Sequence, residues 1–364
     1  MRVLQVIDSL RIGGAEVLVH DLAPRLVNRG VDCAALVLSR SFSSLESSLE
    51  AAGVRLLDTG GIHLYSPRQV PALWRRLQDF DLVHVHLFPA QLWAILAGGW
   101  RSGCTLVTTE HNTWNARRRW WLRPLDAAMY PQYARIACNS QATADELARW
   151  CPHIKNKLRI VPNGIPLEVF AKAKPADLDG LAKGMLRAVF VGRFEPQKDH
   201  ATLLRALARV PPVHLFLLGD GPLRGELKQQ ACDLGVSQRV SFMGVRSDVP
   251  QVLKACDVYV HSTTSDGFGM AACEAMAAGL PVVASDVPGL AQVVRGAGIL
   301  FPVGDHDRLA SELNRLAASQ EEKMLMSEAS LRRARDFSIE RTVDGYLELY
   351  ESVLDRVPHG RAGA

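Results

Sequence analysis

Short apolar runs alternate with helical patterns along this chain, stop, and then begin again. Residues 3–7, 34–38, 82–86, 105–109, 135–138 and 158–161 read as strands, with helical periodicity between most of them. Val161-Pro-Asn-Gly-Ile165 reads as a strand end and a tight Asn-Gly turn, and residues 171–180 are polar and without period. The pattern then resumes, with strands expected at 187–191, 213–218, 240–242, 258–261 and 281–284. Apolar strands alternating with helices are covered on both faces, which calls for parallel sheets in α/β layers. The expected architecture is α/β: two Rossmann-like doubly wound domains over 1–165 and 187–338, joined by a linker at 166–186. The closing helix, within 339–364, is expected to pack back on the first domain. Ligands would meet the carboxyl ends of the strands, in a central cleft.

A chain of 364 residues suits two domains of ordinary size. No apolar run approaches the ~20 residues of a membrane span. The first residues meet Asp8 before any signal-peptide core can form. Seven dispersed cysteines without a Cys-x-x-Cys pair suit buried thiols in a reducing compartment, so the cytoplasm is expected. The net charge of +4 is uneven: residues 1–165 hold 19 Lys and Arg against 13 Asp and Glu, or +6, and the remainder is −2. An anionic surface or substrate is the expected counterpart of the first half.

Residues 262–284 carry the most chemistry. Asp266 lies in a glycine-bearing loop, and Glu274 lies within a helix of small and apolar residues that ends at Gly279 with Pro281 behind it. A glutamate on such a helix is costly to bury without a partner. Gly267 and Gly269 bare the backbone where the helix begins, so N–H groups at its positive end could face a phosphate. These features suit a polyol carrying phosphate. They equally suit a tightly packed helix whose Glu274 caps a neighbouring loop.

The other strand-to-helix loops add candidates. Gly13-Gly14 precedes the first helix. Arg193 and Lys198 follow the first strand of the second domain, where a guanidinium and an ammonium could grip phosphate oxygens. His111 ends a strand and could hydrogen-bond a sugar hydroxyl or a developing charge, and equally could be satisfied within its own loop. His84 and His86 share a strand face and read as packing rather than a metal pair, with no third ligand nearby. Gly219 to Gly225 imitates a dinucleotide fingerprint, but its last glycine is one place late and a proline intrudes. The Asp-x-Asp pairs at 79–81, 177–179 and 305–307 read as caps and solvated loops, so no metal site is expected. Trp114 to Pro124 interleaves tryptophans with Arg117, Arg118, Arg119 and Arg123 around Trp120 and Trp121, which suits membrane headgroups or an acidic lipid-linked acceptor. The mild overall charge argues against nucleic acid.

Together these segments resemble the retaining glycosyltransferases of family 4, with the GT-B double Rossmann-like fold. The resemblance rests on Asp266-Gly-Phe-Gly269 before Glu274-Ala-Met-Ala-Ala-Gly-Leu-Pro-Val-Val-Ala284. It is supported by Gly13-Gly-Ala-Glu16, His111, Pro162-Asn-Gly164, the Gly-Arg…Lys loop at 192–198 and Gly219-Asp-Gly221. It implies that Glu274 holds the nucleotide ribose, while Phe268, Gly269 and Met270 offer backbone N–H groups to donor sugar and diphosphate. It further implies that Arg193 and Lys198 neutralise the diphosphate, that Gly14 approaches it, and that His111 contacts the donor sugar. The first acid is Asp266 where Glu is usual. The implied activity is hexosyl transfer from a UDP- or GDP-linked nucleotide sugar to a glycan or polyprenyl-linked acceptor. It needs no cofactor and would take place at the inner face of the cytoplasmic membrane, on an anionic surface. An NAD-dependent oxidoreductase on the same sheets would need a Gly-x-Gly-x-x-Gly after the first strand, which Gly13-Gly14 does not supply. A catalytically inactive binding module is hinted at only by Asp266.

Overall fold

Strand alternation sets the faces of the first sheet. In β1 (Arg2–Ile7), Leu4 and Val6 point to one buried cluster, and Val3 and Ile7 to another on the opposite face. A computed structural model of the chain describes residues 1–11, 13–98, 103–113, 118–178 and 184–355. The further strands of the N-terminal unit are β2 (Asp32–Val37), β3 (Arg55–Asp58), β4 (Leu82–His86), β5 (Thr105–Glu110), β6 (Arg135–Cys138) and β7 (Leu158–Ile160). They pair in parallel in the order β3-β2-β1-β4-β5-β6-β7, with β1 beside β4. The helix Ile339–Leu354 belongs to this unit. Its Val343, Tyr346 and Tyr350 are buried in the cluster that holds Val3, Val19 and Leu22.

The C-terminal unit, Ile165–Ser338, repeats the plan. Its strands β8 (Leu186–Val191), β9 (Val213–Leu218), β10 (Val240–Gly244), β11 (Val258–His261), β12 (Val282–Ser285) and β13 (Ile299–Phe301) run in the order β10-β9-β8-β11-β12-β13. Two strands are absent from the sequence reading, β3 and β13. Both sit at sheet edges, where a short strand needs no long apolar run. The described part of the 166–186 segment is not a free tether. It forms the helix Leu167–Lys172, and its Phe170 and Leu178 are buried in the C-terminal core. Among the described residues no helix is long and apolar enough to cross a membrane.

In both sheets the order reverses beside the first strand, at β1/β4 and at β8/β11. Such a switch point splays the following loops apart and leaves a crevice at the strand ends. At β8 the loop is packed against its neighbour by bare backbone. Gly219 has φ +128°, and a Cβ there would lie 2.0 Å from the Gly192 carbonyl oxygen. The Phe194 N–H donates to the Asp220 carbonyl at 3.0 Å, and a Cβ on Gly221 would come within 2.5 Å of the Phe194 oxygen. The fingerprint-like glycines therefore serve close backbone approach. Gly219→Ala should cost roughly 2–4 kcal/mol through strain and overpacking, read as a lower urea midpoint for the full chain. An unchanged midpoint would contradict the close approach.

Candidate active site

Two strand-end loops of the C-terminal unit meet at its switch point. The chain leaving β8 makes a short 3₁₀ turn, Pro196–Lys198. The chain leaving β11 grips that turn: the Thr263 hydroxyl donates to the Gln197 carbonyl at 2.8 Å, and the Ser262 hydroxyl to the Lys198 carbonyl at 3.0 Å. Across this clasp Lys198 Nζ reaches Asp266 Oδ2 at 2.6 Å. Both side chains are largely withdrawn from water, 19% and 13% exposed. Burial alone would raise the Asp266 pKa, but the Lys198 charge and His261 reverse this and hold the carboxyl well below the usual range. The other oxygen, Oδ1, accepts the Phe268 N–H at 3.1 Å and closes an Asx turn. That two-residue reach is the length of an aspartate. The departure from the family's usual Glu thus coincides with a local turn that the shorter side chain makes.

His261, at the end of β11, is a partner that the sequence reading missed. Its Nε2 stands 3.3 Å from Asp266 Oδ2, and its Nδ1 lies 3.0 Å from the Tyr259 hydroxyl. Burial lowers its pKa, with Asp266 opposing, so the ring is neutral near pH 7. The Nε2 contact is one of proximity, since that buried atom has no hydrogen-bond partner among the described residues. The signal was present as Val-Tyr-Val-His, which puts both polar groups on one strand face. Gly269 then turns the chain with φ +90° into the helix Met270–Ala277. The Phe268 side chain is core and packs edge-on to Phe337 at 5.5 Å, leaving only its backbone to face a ligand. Glu274 is half-buried on this helix, one turn beyond Met270. Arg193 stands apart from the Lys198 pair: it is 71% exposed and bridges Glu195 at 2.7 Å.

The N-terminal unit has its own switch-point loops. Gly13 caps the helix Gly14–Asn28 in extended backbone, and Gly14 is exposed. Asp8, which the sequence pattern does not single out as a site residue, follows β1 and accepts the Ala90 N–H at 2.9 Å. Burial pushes its carboxyl up to about 7, partly offset by that N–H, so it is poised to hold a proton near neutrality. His111 follows β5 and is buried rather than displayed. Its Nε2 meets His86 Nδ1 at 3.2 Å, and its Nδ1 has no partner among the described residues. Burial lowers its pKa to about 4. His84 and His86 are fully buried in hydrogen bonds to protein partners, as strand packing requires.

The described part of the tryptophan–arginine stretch, from Arg118 on, includes a 3₁₀ turn, Trp120–Leu122, and the start of the short helix Arg123–Met129. Trp120 and Trp121 are 79% and 52% exposed. Arg119 stacks over Trp121, Arg118 donates to the Thr113 carbonyl, and Arg123 donates to the Trp150 carbonyl. Trp114 and Arg117 lie outside the described residues. Of the Asp-x-Asp pairs, Asp81 binds Arg2 and Asp305 caps the helix His306–Ala318.

Two doubly wound parallel sheets, with strand-end loops carrying a lysine–carboxylate pair and a glycine-opened helix start, define a protein of the GT-B type. Two sequence families match the chain: Glycosyltransferase Family 4 over residues 12–169 and Glycosyl transferases group 1 over residues 179–333. A lipopolysaccharide core biosynthesis glycosyltransferase of Rhizobium meliloti is 32% identical over 60% of this chain and 64% of its own length. A D-inositol 3-phosphate glycosyltransferase of Mycolicibacterium smegmatis is 31% identical over 78% of this chain and 70% of its own. The crystal structure of Anabaena HepE in complex with UDP-glucose has the same fold, with TM-score 0.84 at 23% identity over 97% of this chain and 100% of that one. The chain belongs to family 4 of the glycosyltransferases. It spans just under two thirds of the length of the Rhizobium relative.

His200 sits between Phe190 and Phe194, with neither ring nitrogen hydrogen-bonded among the described residues. Burial, with the Lys198 charge, lowers its pKa from 6.5 to about 3. Unfolded histidine binds its proton near pH 6.5, so the unfolded state holds more protons than the folded one below that pH. The stability that His200 contributes is complete above pH 6.5 and drains away as the pH falls toward 3. His200→Leu should therefore flatten the acid limb, by roughly 3 kcal/mol between about pH 6.5 and about pH 4, in unfolding curves taken across that range. A variant that loses stability as steeply as wild type would refute this.

Proposed function

We propose that this protein is a retaining hexosyltransferase that takes a sugar from a nucleoside-diphosphate donor, UDP- or GDP-linked. The receiving group is a hydroxyl of a glycan or polyprenyl-linked acceptor. The Lys198–Asp266 pair carries the reading: an ammonium held in place by a carboxylate that stays ionised, on a loop at the switch point. As the glycosidic bond breaks, negative charge grows on the leaving diphosphate, and a group already aimed at it lowers the barrier without reorganising. Lys198 supplies that charge, and Asp266 positions it. Arg193 is exposed and tied to its near neighbour Glu195, so it can exchange that carboxylate for a phosphate. Backbone N–H groups of Phe268, Gly269 and Met270 meet donor oxygens at the helix start. Glu274, one turn on, accepts from the ribose hydroxyls. Gly14 and His111 keep the roles that the resemblance implies, toward the diphosphate and a sugar hydroxyl. Acceptor attack on the same face as departure retains configuration, the leaving phosphate taking the acceptor's proton. The reaction draws on no cofactor. The donor class is supported by HepE, whose crystals hold UDP-glucose, and a lipid-linked acceptor by the lipopolysaccharide role named for the Rhizobium relative.

Incubation with a panel of UDP- and GDP-sugars and glycan acceptors, with product anomers read by NMR, tests the reading; inversion at the anomeric carbon would overturn the retaining step. Lys198→Ala should lower kcat by roughly 10²–10³-fold, and Glu274→Ala should abolish transfer while leaving the circular dichroism spectrum intact. A loss confined to KM in the lysine variant would mean that Lys198 only holds the donor.

The surface around Trp120 and Trp121 supports a peripheral site of action on the inner face of the cytoplasmic membrane. Exposed tryptophans and arginines favour an anionic headgroup layer, each arginine contributing about 1 kcal/mol. Charge reversal at Arg117, Arg118, Arg119 and Arg123 should weaken cosedimentation with anionic vesicles. Wild-type protein that ignores such vesicles at low salt would remove the membrane from the proposal.

A further inference from the structure

Seven buried polar side chains of the N-terminal unit form one hydrogen-bonded chain that joins His111 to the last helix. His111 Nε2 meets His86 Nδ1 at 3.2 Å, and His86 Nε2 meets Gln5 Oε1 at 2.9 Å. Gln5 Nε2 donates to the Tyr350 hydroxyl at 3.0 Å. From there Tyr350 meets His84 Nδ1 at 2.7 Å, His84 Nε2 meets the Thr109 hydroxyl at 2.7 Å, and Thr109 meets the Tyr346 hydroxyl at 3.0 Å. All seven are at most 7% exposed, so no water competes for these bonds. Strand parity assembles them: Gln5, His84 and His86 lie on the sheet face that the helix Ile339–Leu354 covers.

A chain of this kind has a direction. Burial keeps the three imidazoles neutral near pH 7, so each offers one N–H and one lone pair. The Gln5 amide sets the sense. Its Nε2 is the group that donates to the Tyr350 hydroxyl. The amide oxygen is then left for His86, which must donate from Nε2. His86 Nδ1 is therefore an acceptor, and His111 must donate to it from Nε2. On the other arm Tyr350, having accepted from Gln5, donates to His84 Nδ1, and His84 donates onward to Thr109. The opposite amide orientation would reverse every bond and leave a bare N–H at His111 Nδ1. That atom is buried and without a partner among the described residues.

We propose that Tyr350, acting through Gln5 and His86, fixes His111 as the Nε2–H tautomer and so holds its Nδ1 lone pair open as an acceptor for a sugar hydroxyl. Tyr350, Gln5 and His86 are positioning residues in this scheme. The ligand role of Nδ1 rests on the transferase reading above, whereas the tautomer does not.

The proton position is directly measurable. Long-range ¹⁵N–¹H correlation spectra of the labelled full chain distinguish a protonated ring nitrogen from a bare one, and His111→Asn identifies the His111 signals by their loss. Wild type at pH 7 should show protonated Nε2 and bare Nδ1 at His111. Tyr350→Phe frees the Gln5 amide to adopt both orientations and should shift His111 to a mixture of tautomers. Gln5→Leu, which cuts the chain at another point, should do the same. In transfer assays Tyr350→Phe should lower kcat about tenfold with donor KM unchanged. A protonated Nδ1 in wild type, or a His111 pattern untouched by both substitutions, would overturn the proposal. If the spectra match but no nucleotide sugar supports transfer, the tautomer assignment stands and the functional reading falls. If transfer proceeds with Nδ1 protonated, the reverse holds.

Discussion

The ion pair between Lys198 and Asp266 makes the C-terminal loops a site rather than two loose turns. An ammonium withdrawn from water is costly unless something of opposite charge sits against it, and a carboxylate likewise. Lys198 stabilises Asp266 in its charged form, and the sheet order brings the two together. β8 and β11 are neighbours although β9, β10 and their helices intervene in sequence. The clasp of Ser262 and Thr263 hydroxyls on backbone carbonyls then fixes the distance without using either charge. Asp266 is best understood as the anchor of this arrangement, with one oxygen committed to its own loop and the other to lysine.

A buried polar network plays the corresponding part in the N-terminal unit, with neutral groups in place of charges. Its histidines are held neutral by burial, which turns each into a directional link between one donor and one acceptor. The two units thus stabilise their loop chemistry by different means. One uses a largely buried pair of opposite charges, and the other uses ordered hydrogen bonds between buried neutral groups.

Much of this was legible in the sequence, for reasons that can be named. Parallel strands buried on both faces declare themselves as continuous apolar runs, so β1, β4, β6, β9 and β11 were readable nearly to the residue. Of the four edge strands, β7 and β10 were readable and β3 and β13 were not. Gly267, Gly269 and Glu274 stood out because small residues around a lone acid are a local pattern. His261 did not, since its meaning depends on Asp266 and on Lys198, which lies on another strand's loop. Tyr346 and Tyr350 were hidden in another way. At four-residue spacing they look like any amphipathic helix, and only the sheet beneath shows that their hydroxyls are spoken for. The polar stretch 171–180 concealed Leu178, which is buried in the C-terminal core with Phe170 just before it.

The helix Ile339–Leu354 closes the core of a unit whose other elements end at Gly164. During synthesis the ribosome therefore releases the first sheet long before its final helix exists. The C-terminal unit, Ile165–Ser338, is contiguous in sequence and can complete itself first, while the face of β1 and β4 that carries Gln5, His84 and His86 stays uncovered. The order of completion is thus the reverse of the order of translation. A nascent chain that stalls before Tyr346 would carry a finished second unit beside a first whose histidines are still wet.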